Sequence, residues 1–440
     1  MNEIFGLLSE AELLNDAREY VLRARLDKDD VSGPVLVWGE GSIVCDVSGK
    51  SYLDFNSGQM CSALGHRFPR VVDAIKQACD RLIHASSSFY NVEELTLAKK
   101  LASISVPPLK RSFFMESGSD ANEAAMEIAR IYTGRYEIAS PHTGFHGLSG
   151  FTRSVTFGTQ SWRRGHGPYM PGTYAFMAPY CHNCPIGLKF PECRTVCLDG
   201  AFEVLDAQME DRLAAVITEP LFSAGGVIEP PPGWLANLKR KCEERGALLI
   251  LDEAQTGLGK LGTMWGFEQH GVVPDIVTVS KHFGGGISIS AIITTDKIAD
   301  AVQEKGFIFG HSHSSDPLAC AAASATIDTI VSEDLPRKAT ILGKSLRIRL
   351  EKLAKRHPVI MDIRGRGLLQ GIELETRPTG PGLPRGIGFD IEKACVANGL
   401  LLSVRRNGSV LRFVPPWTTT EEQFDLAADI LEAAFDSVLS

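Results

Sequence analysis

The chain has 440 residues, 44% hydrophobic and 22% charged, with a formal net charge of −8. That balance describes a globular chain with room for two or three domains, or for one large domain with a smaller companion. It offers no basic patch for nucleic acid, and no apolar run reaches the roughly 18 residues of a membrane span, so neither partner is expected.

The opening stretch MNEIFGLLSEAELLNDAREY carries acids where a secretory leader would be basic, which predicts a cytoplasmic chain. Ser9 and Glu12 have capping-box spacing, so a helix is expected from about Ser9. Residues Val35 to Phe55 alternate around turn residues and predict short antiparallel strands. The loop Ser57-Gly58-Gln59-Met60 follows, and helical spacing of apolar residues runs from Pro69 to Ile83 and again from Glu93 to Ile104.

A strand at Ser112–Met115 leads into Glu116-Ser117-Gly118-Ser119-Asp120 and the start of a helix. Such a turn presents backbone N–H groups at the positive end of a helix and suits a phosphate dianion, although Ser and Asp also serve as plain caps. A further strand at Tyr136–Ala139 precedes Thr143-Gly144-Phe145-His146-Gly147. Leu213–Thr218 reads as a buried strand ending at Glu219-Pro220.

Ten cysteines are present. Cys45, Cys61, Cys79, Cys242, Cys320 and Cys395 are scattered and read as reduced thiols. Cys181, Cys184, Cys193 and Cys197 cluster around His182 with a spacing compatible either with zinc or with free thiols, and no metal site is assigned from it.

The most informative stretch runs from Ala247 to Gly286. The run Ala247-Leu248-Leu249-Ile250-Leu251 ends on Asp252-Glu253, and Asp275-Ile276-Val277-Thr278-Val279-Ser280 delivers Lys281 to Gly284-Gly285-Gly286. Both runs suit strands buried on two faces, and open α/β sheets collect ligands at the carboxyl ends of such strands. One carboxylate and one amine at that edge suit pyridoxal phosphate, which a lysine holds covalently while a carboxylate keeps its pyridine nitrogen protonated.

Leu251-Asp252-Glu253-Ala254-Gln255-Thr256-Gly257-Leu258-Gly259, with Pro274-Asp275-Ile276 and Ser280-Lys281, resembles the motif of the class III, fold type I aminotransferases. The likeness runs from about Val37 to Pro416. It implies an α/β fold of the PLP-transferase fold type I: a large domain over 56–320 with a mostly parallel seven-stranded sheet, and a smaller α/β domain built from 1–55 and 321–440. It also implies pyridoxal 5'-phosphate as cofactor, amino acid and keto acid substrates, and a homodimer or dimer of dimers with the active site at the interface.

The resemblance further implies individual roles. Lys281 and Asp252 hold the cofactor; Ser117, Gly118 and Ser119 bind its phosphate; Phe145 stacks on its ring beside His146; Gln255 contacts its phenolic oxygen. Glu219 lies by the site, and Ser312 reaches the phosphate of the neighbouring subunit. Ser57-Gly58-Gln59-Met60 is similar to the branch of the family that decarboxylates 2,2-dialkyl amino acids, in which the residue matching Gln59 contacts the departing carboxylate. Arg412, in the apolar strand Val410–Pro416, is then expected to hold the retained carboxylate. The expected activity is decarboxylation of a quaternary amino acid coupled to transamination of a keto acid such as pyruvate. The alternative is a class III aminotransferase for an amine or ω-amino acid, or an epimerase, without decarboxylation.

The remaining chain is read from periodicity: helices at Leu318–Val331, Lys338–Arg356 and Thr420–Leu439, a glycine-bent strand pair at Ile363–Glu373, and strands at Gly399–Val404 and Val410–Pro416.

Overall fold

The computed structural model describes residues 9–22, 33–158, 162–209, 212–375 and 386–440. The first eight residues of the N-terminal stretch read above lie outside them.

Seven strands form the central sheet, in the order Leu109–Met115, Ser290–Thr295, Ile276–Val279, Leu248–Asp252, Leu213–Thr218, Glu137–Pro141, Thr173–Phe176. The five from Ile276–Val279 to Thr173–Phe176 are parallel, and Ser290–Thr295 pairs antiparallel with both of its neighbours. Leu213–Thr218, Leu248–Asp252 and Ile276–Val279 are buried along their whole length. That burial is why they read as unbroken apolar runs. At roughly 25 cal/mol per Å² of apolar surface, these strands and the helices covering them contribute much of the folding free energy.

Because Leu248–Asp252 and Ile276–Val279 are parallel neighbours, their carboxyl ends lie side by side, with Asp252 opposite Thr278 in the register. The edge that carries Asp252 also carries the turn into Lys281. The helix Gly118–Thr133 starts at that edge, and its alanine-rich face, Ala121, Ala124, Ala125 and Ala129, packs flush on the sheet.

Strands Leu36–Glu40, Ile43–Asp46 and Ser51–Asp54 form the expected antiparallel meander, and Leu400–Leu401 adds to it in parallel. Hydrogen bonds from Leu53 N–H to Gly399 O and from Phe55 N–H to Leu401 O make this join between the N- and C-terminal segments. A second four-stranded sheet runs Ile360–Arg366, Leu369–Leu374, Val410–Phe413, Ser403–Arg405, all antiparallel.

The Ser9–Glu12 capping box is present, with Ser9 N–H donating to Glu12 at 2.7 Å and Glu12 N–H to Ser9 Oγ at 3.3 Å. Other boundaries differ from the periodicity. The helix from Pro69 ends at Cys79, and Leu82 and Ile83 lie half exposed beyond it. The helix expected from Lys338 begins at Leu335, because Pro336 in its first turn lacks only an N–H that would have no intrahelical partner there. Among the described residues no helix is long and apolar enough to cross a membrane.

Candidate active site

A cavity of about 310 Å³ opens at the carboxyl edge of the central sheet. Asp252 ends its strand there and is almost completely buried. Its Oδ2 accepts Asn122 Nδ2 at 2.8 Å and His146 Nδ1 at 3.0 Å, while Oδ1 accepts the N–H of Ala254 at 3.0 Å. Burial alone would raise this carboxyl, but the bond and charge of His146, then Lys281 and the Ala254 N–H, hold it below the usual range. Asp252 is therefore a fixed negative charge with lone pairs left for a further donor.

Lys281 stands at the start of a short 3-10 turn with φ of 55°, a strained left-handed value for a lysine. Burial pushes its amine below the ordinary lysine value, against the attraction of Asp252 and Cys61 and together with the repulsion of Arg412. A depressed amine is a better nucleophile near neutral pH.

Ser117 caps the helix Gly118–Thr133 in a capping box, its hydroxyl donating to Asp120 at 2.6 Å and accepting from Asp120 N–H at 3.3 Å. Capping thus occupies the Ser117 side chain. The N–H groups of Gly118 and Ser119 have no acceptor among the described residues, and both residues line the cavity. A Cβ on Gly118 would lie 2.6 Å from Ser280 Oγ, so glycine lets the residue before Lys281 approach the helix start.

Glu219 is buried and accepts the N–H groups of Phe145 at 3.1 Å and Ser223 at 3.0 Å. Burial first, then repulsion from Asp252, pushes its carboxyl up to about 8. Phe145 meets the edge of Trp162 with ring centres 4.7 Å apart. Gln255 lines the cavity, and its Oε1 accepts Arg412 Nη1 at 2.7 Å.

Of the residues singled out in the sequence, Ser117, Gly118, Ser119, Phe145, His146, Glu219, Asp252, Gln255 and Lys281 line this one cavity. Three do not. Gln59 is exposed on a left-handed turn with φ of 59°, and Ser312 is exposed too. Arg412 is buried behind Gln255, held also by Ser403 Oγ at 3.0 Å and Ser223 Oγ at 3.1 Å. Burial, then Arg405, lowers its guanidinium well below the arginine value.

Sequence reading missed Asn122 and Cys61. Asn122 donates to both Asp252 and the His146 carbonyl, and its Oδ1 accepts the Thr278 hydroxyl at 2.7 Å. Its one signal is a lone polar residue on a helix face that is otherwise small and apolar. Cys61 lines the cavity opposite Lys281, two residues from Gln59.

The donor set fits pyridoxal phosphate: a fixed carboxylate for the ring nitrogen, an amine for the aldehyde, unpaired N–H groups at a helix start for the phosphate and an aromatic wall. Residues 28–435 match the family model described as Aminotransferase class-III. An uncharacterized aminotransferase of Schizosaccharomyces pombe is 39% identical over 98% of this chain and 96% of its own. An acetylornithine aminotransferase of Methanothermobacter thermautotrophicus is 35% identical over 90% of this chain and 92% of its own. An amine transaminase from an uncultivated Pseudomonas species, solved with PLP bound, superposes with a TM-score of 0.87 at 30% identity, covering 95% of this chain and 98% of that one.

Proposed function

The chain belongs to the class III aminotransferases, a pyridoxal phosphate family of fold type I, and on that premise we propose that it transfers an amino group from an amine or amino acid to a keto acid without decarboxylation. The single observation that carries this reading is the convergence of Asp252 and Lys281 on one cavity whose walls also supply the phosphate and ring contacts. The cofactor, when bound, supplies the electron sink and carries the amino group between the two substrates.

The residues of this chain do the rest. Asp252, anchored by Asn122, His146 and the Ala254 N–H, keeps a negative charge where the pyridine nitrogen must stay protonated. Lys281 Nζ would hold the cofactor and, when free, would be the base that moves the proton at the substrate's α carbon. The N–H groups of Gly118 and Ser119 would bind the phosphate, and Phe145 would supply an aromatic wall for the ring. Arg412 stands behind the cavity wall, donating from Nη1 to Gln255 Oε1, and would serve as the carboxylate clamp where Gln255 turns aside. The relatives named for acetylornithine and amine substrates support plain transamination.

The narrower reading, decarboxylation of a 2,2-dialkyl amino acid, rests on Gln59 in its Ser57–Met60 setting together with Arg412. The position of Cys61 in the cavity wall brings that loop close to the site. None of the relatives mentioned above is named for that activity.

The test is a donor panel with pyruvate or 2-oxoglutarate as acceptor: N-acetylornithine, alanine, a primary amine and 2-aminoisobutyrate, with keto product and CO2 measured together. Transamination of at least one donor bearing an α hydrogen, without CO2, is expected. CO2 and acetone from 2-aminoisobutyrate would replace this reading with the decarboxylase, even if alanine is also transaminated.

A further inference from the structure

Between the strand Thr173–Phe176 and the helix Val196–Met209, the chain runs from Met177 to Thr195 without helix or strand. Its backbone hydrogen bonds there are mostly local turns: Cys181 N–H to Pro179 O, Gly187 N–H to Cys184 O, Cys193 N–H to Lys189 O, Val196 N–H to Cys193 O. An irregular stretch of this length inside a compact fold needs another source of order.

The side chains that meet inside the loop are four thiols. Cys181, Cys184, Cys193 and Cys197 line one small cavity of about 20 Å³, closed over by Ile186, Leu188 and others. None of the four is in a disulfide. A cavity of that size admits about one water-sized sphere. The thiols come as two pairs close in sequence, Cys181 with Cys184 in the loop and Cys193 with Cys197 across its junction with the helix Val196–Met209, a spacing that thiolate ligands of a tetrahedral metal use.

Ile186, Leu188 and Phe190 line the same small cavity as the thiols, the kind of apolar surround that keeps water from metal-bound thiolates.

We propose that Cys181, Cys184, Cys193 and Cys197 are the ligands of one structural zinc ion. Four S–H bonds are exchanged for four Zn–S bonds of about 2.3 Å, and the four protons leave to solvent. No electron is transferred. Among the described residues no three of these sulfurs lie within 4.8 Å of one another, whereas His182 of the same loop already meets Asp362 and Glu373; the ion is therefore expected to gather the thiols by rotation of their side chains.

The position gives the ion a structural consequence. Tyr180, next to Cys181, donates its hydroxyl to Glu373, and the guanidinium groups of Arg364 and Arg406 lie over its ring at 5.4 and 4.5 Å. Arg364 in turn donates from Nε to Gly226 O at 3.0 Å. The zinc centre thereby braces the strand pair 360–374 against the Gly225–Gly226 turn.

The test uses the holoenzyme, produced with zinc in the medium and purified without chelator. One zinc per chain is expected by metal analysis, released as an organomercurial titrates the four thiols. Cobalt in place of zinc is expected to give thiolate-to-cobalt charge transfer and tetrahedral d–d bands, the latter at longer wavelength than the cofactor absorbs. Cys184→Ser and Cys193→Ser should each lose the metal and keep the cofactor absorbance, since neither residue lines the cofactor cavity. A wild-type chain that stays metal-free after zinc loading, or whose four cysteines are paired as disulfides in the unreduced mass spectrum, would overturn the proposal. Should a variant fail to fold, the wild-type cobalt spectrum decides, and absence of the tetrahedral bands sinks it.

Discussion

Asn122 donates its amide to Asp252 Oδ2 at 2.8 Å, and the same amide also bonds the His146 carbonyl. Through its Oδ1 it takes the Thr278 hydroxyl, three residues before Lys281. One helical side chain thus ties the acid, the histidine and the lysine-bearing strand.

Asn122→Ala should therefore act as a positioning change. Three buried partners lose a bond, each loss costing about 1–3 kcal/mol when the group is left unsatisfied. Thermal or urea unfolding of the apoprotein should show a loss of roughly 3 kcal/mol or more, the three partners taken together. The pH dependence of the cofactor absorbance should shift as well, because Asp252 loses one of the donors that keep it ionised. An unchanged absorbance titration would reduce Asn122 to a packing role.

Gly118→Ala would place a Cβ 2.6 Å from Ser280 Oγ. We expect cofactor affinity to fall on the order of 10-fold, equivalent to about 1.4 kcal/mol, as the phosphate turn and Lys281 are pushed apart. Adding Ser280→Ala removes the clashing oxygen and should recover part of the loss. Equal affinities for the single and double variants would show that the close approach does not matter, and a double-mutant cycle by cofactor titration reads the difference.

The raised Glu219 sets a pH trend in the apoprotein. Between about 4.5 and about 8 the folded state holds a proton that the unfolded chain has lost, so the stability from this group is fully present below 4.5 and declines as pH rises through 8. Glu219→Gln should flatten that decline in denaturant melts taken across the window. A slope identical to wild type would rule out the assigned titration.

Arg412→Lys keeps a charge but loses the planar fork that Ser403, Ser223 and Gln255 hold in place. For donors with a carboxylate, KM should rise on the order of 10- to 100-fold, in line with about 1.5–3 kcal/mol for a charged hydrogen bond. For a primary amine without a carboxylate it should change little. A uniform effect on both classes would remove Arg412 from substrate recognition.

Sequence made the centre legible because its physics is local. The two buried strands announce themselves by apolar runs, and each delivers its functional residue within a step or two of its end. The glycine at 118 was visible as part of a turn, although its contact with Ser280 was not. Ser290–Thr295, the strand that runs against its neighbours, lies just after a glycine cluster and went unread. The reach of Arg412 was hidden for another reason: its pairing with Gln255 joins a strand to a turn 157 residues away in the chain, and no local pattern encodes such a distance. Gln59 shows the converse, a residue singled out by its neighbours that turns to the surface once Gly58 and Gln59 both adopt left-handed angles. Lys260 is the reminder that burial alone does not make a catalytic lysine. It too is fully buried and pushed down, to about 7, yet it spends its amine on the Pro415 carbonyl at 2.7 Å and faces Trp417.

That contrast supplies the most direct test of the centre. Reduce the holoenzyme with borohydride, digest it and locate the pyridoxyl group by mass spectrometry. The label is expected on Lys281 alone, and to be lost in Lys281→Ala while Lys260→Met retains it. Label on Lys260, or on no lysine of a chain that still binds the cofactor, would contradict the assignment of Lys281 and Asp252 as the catalytic pair.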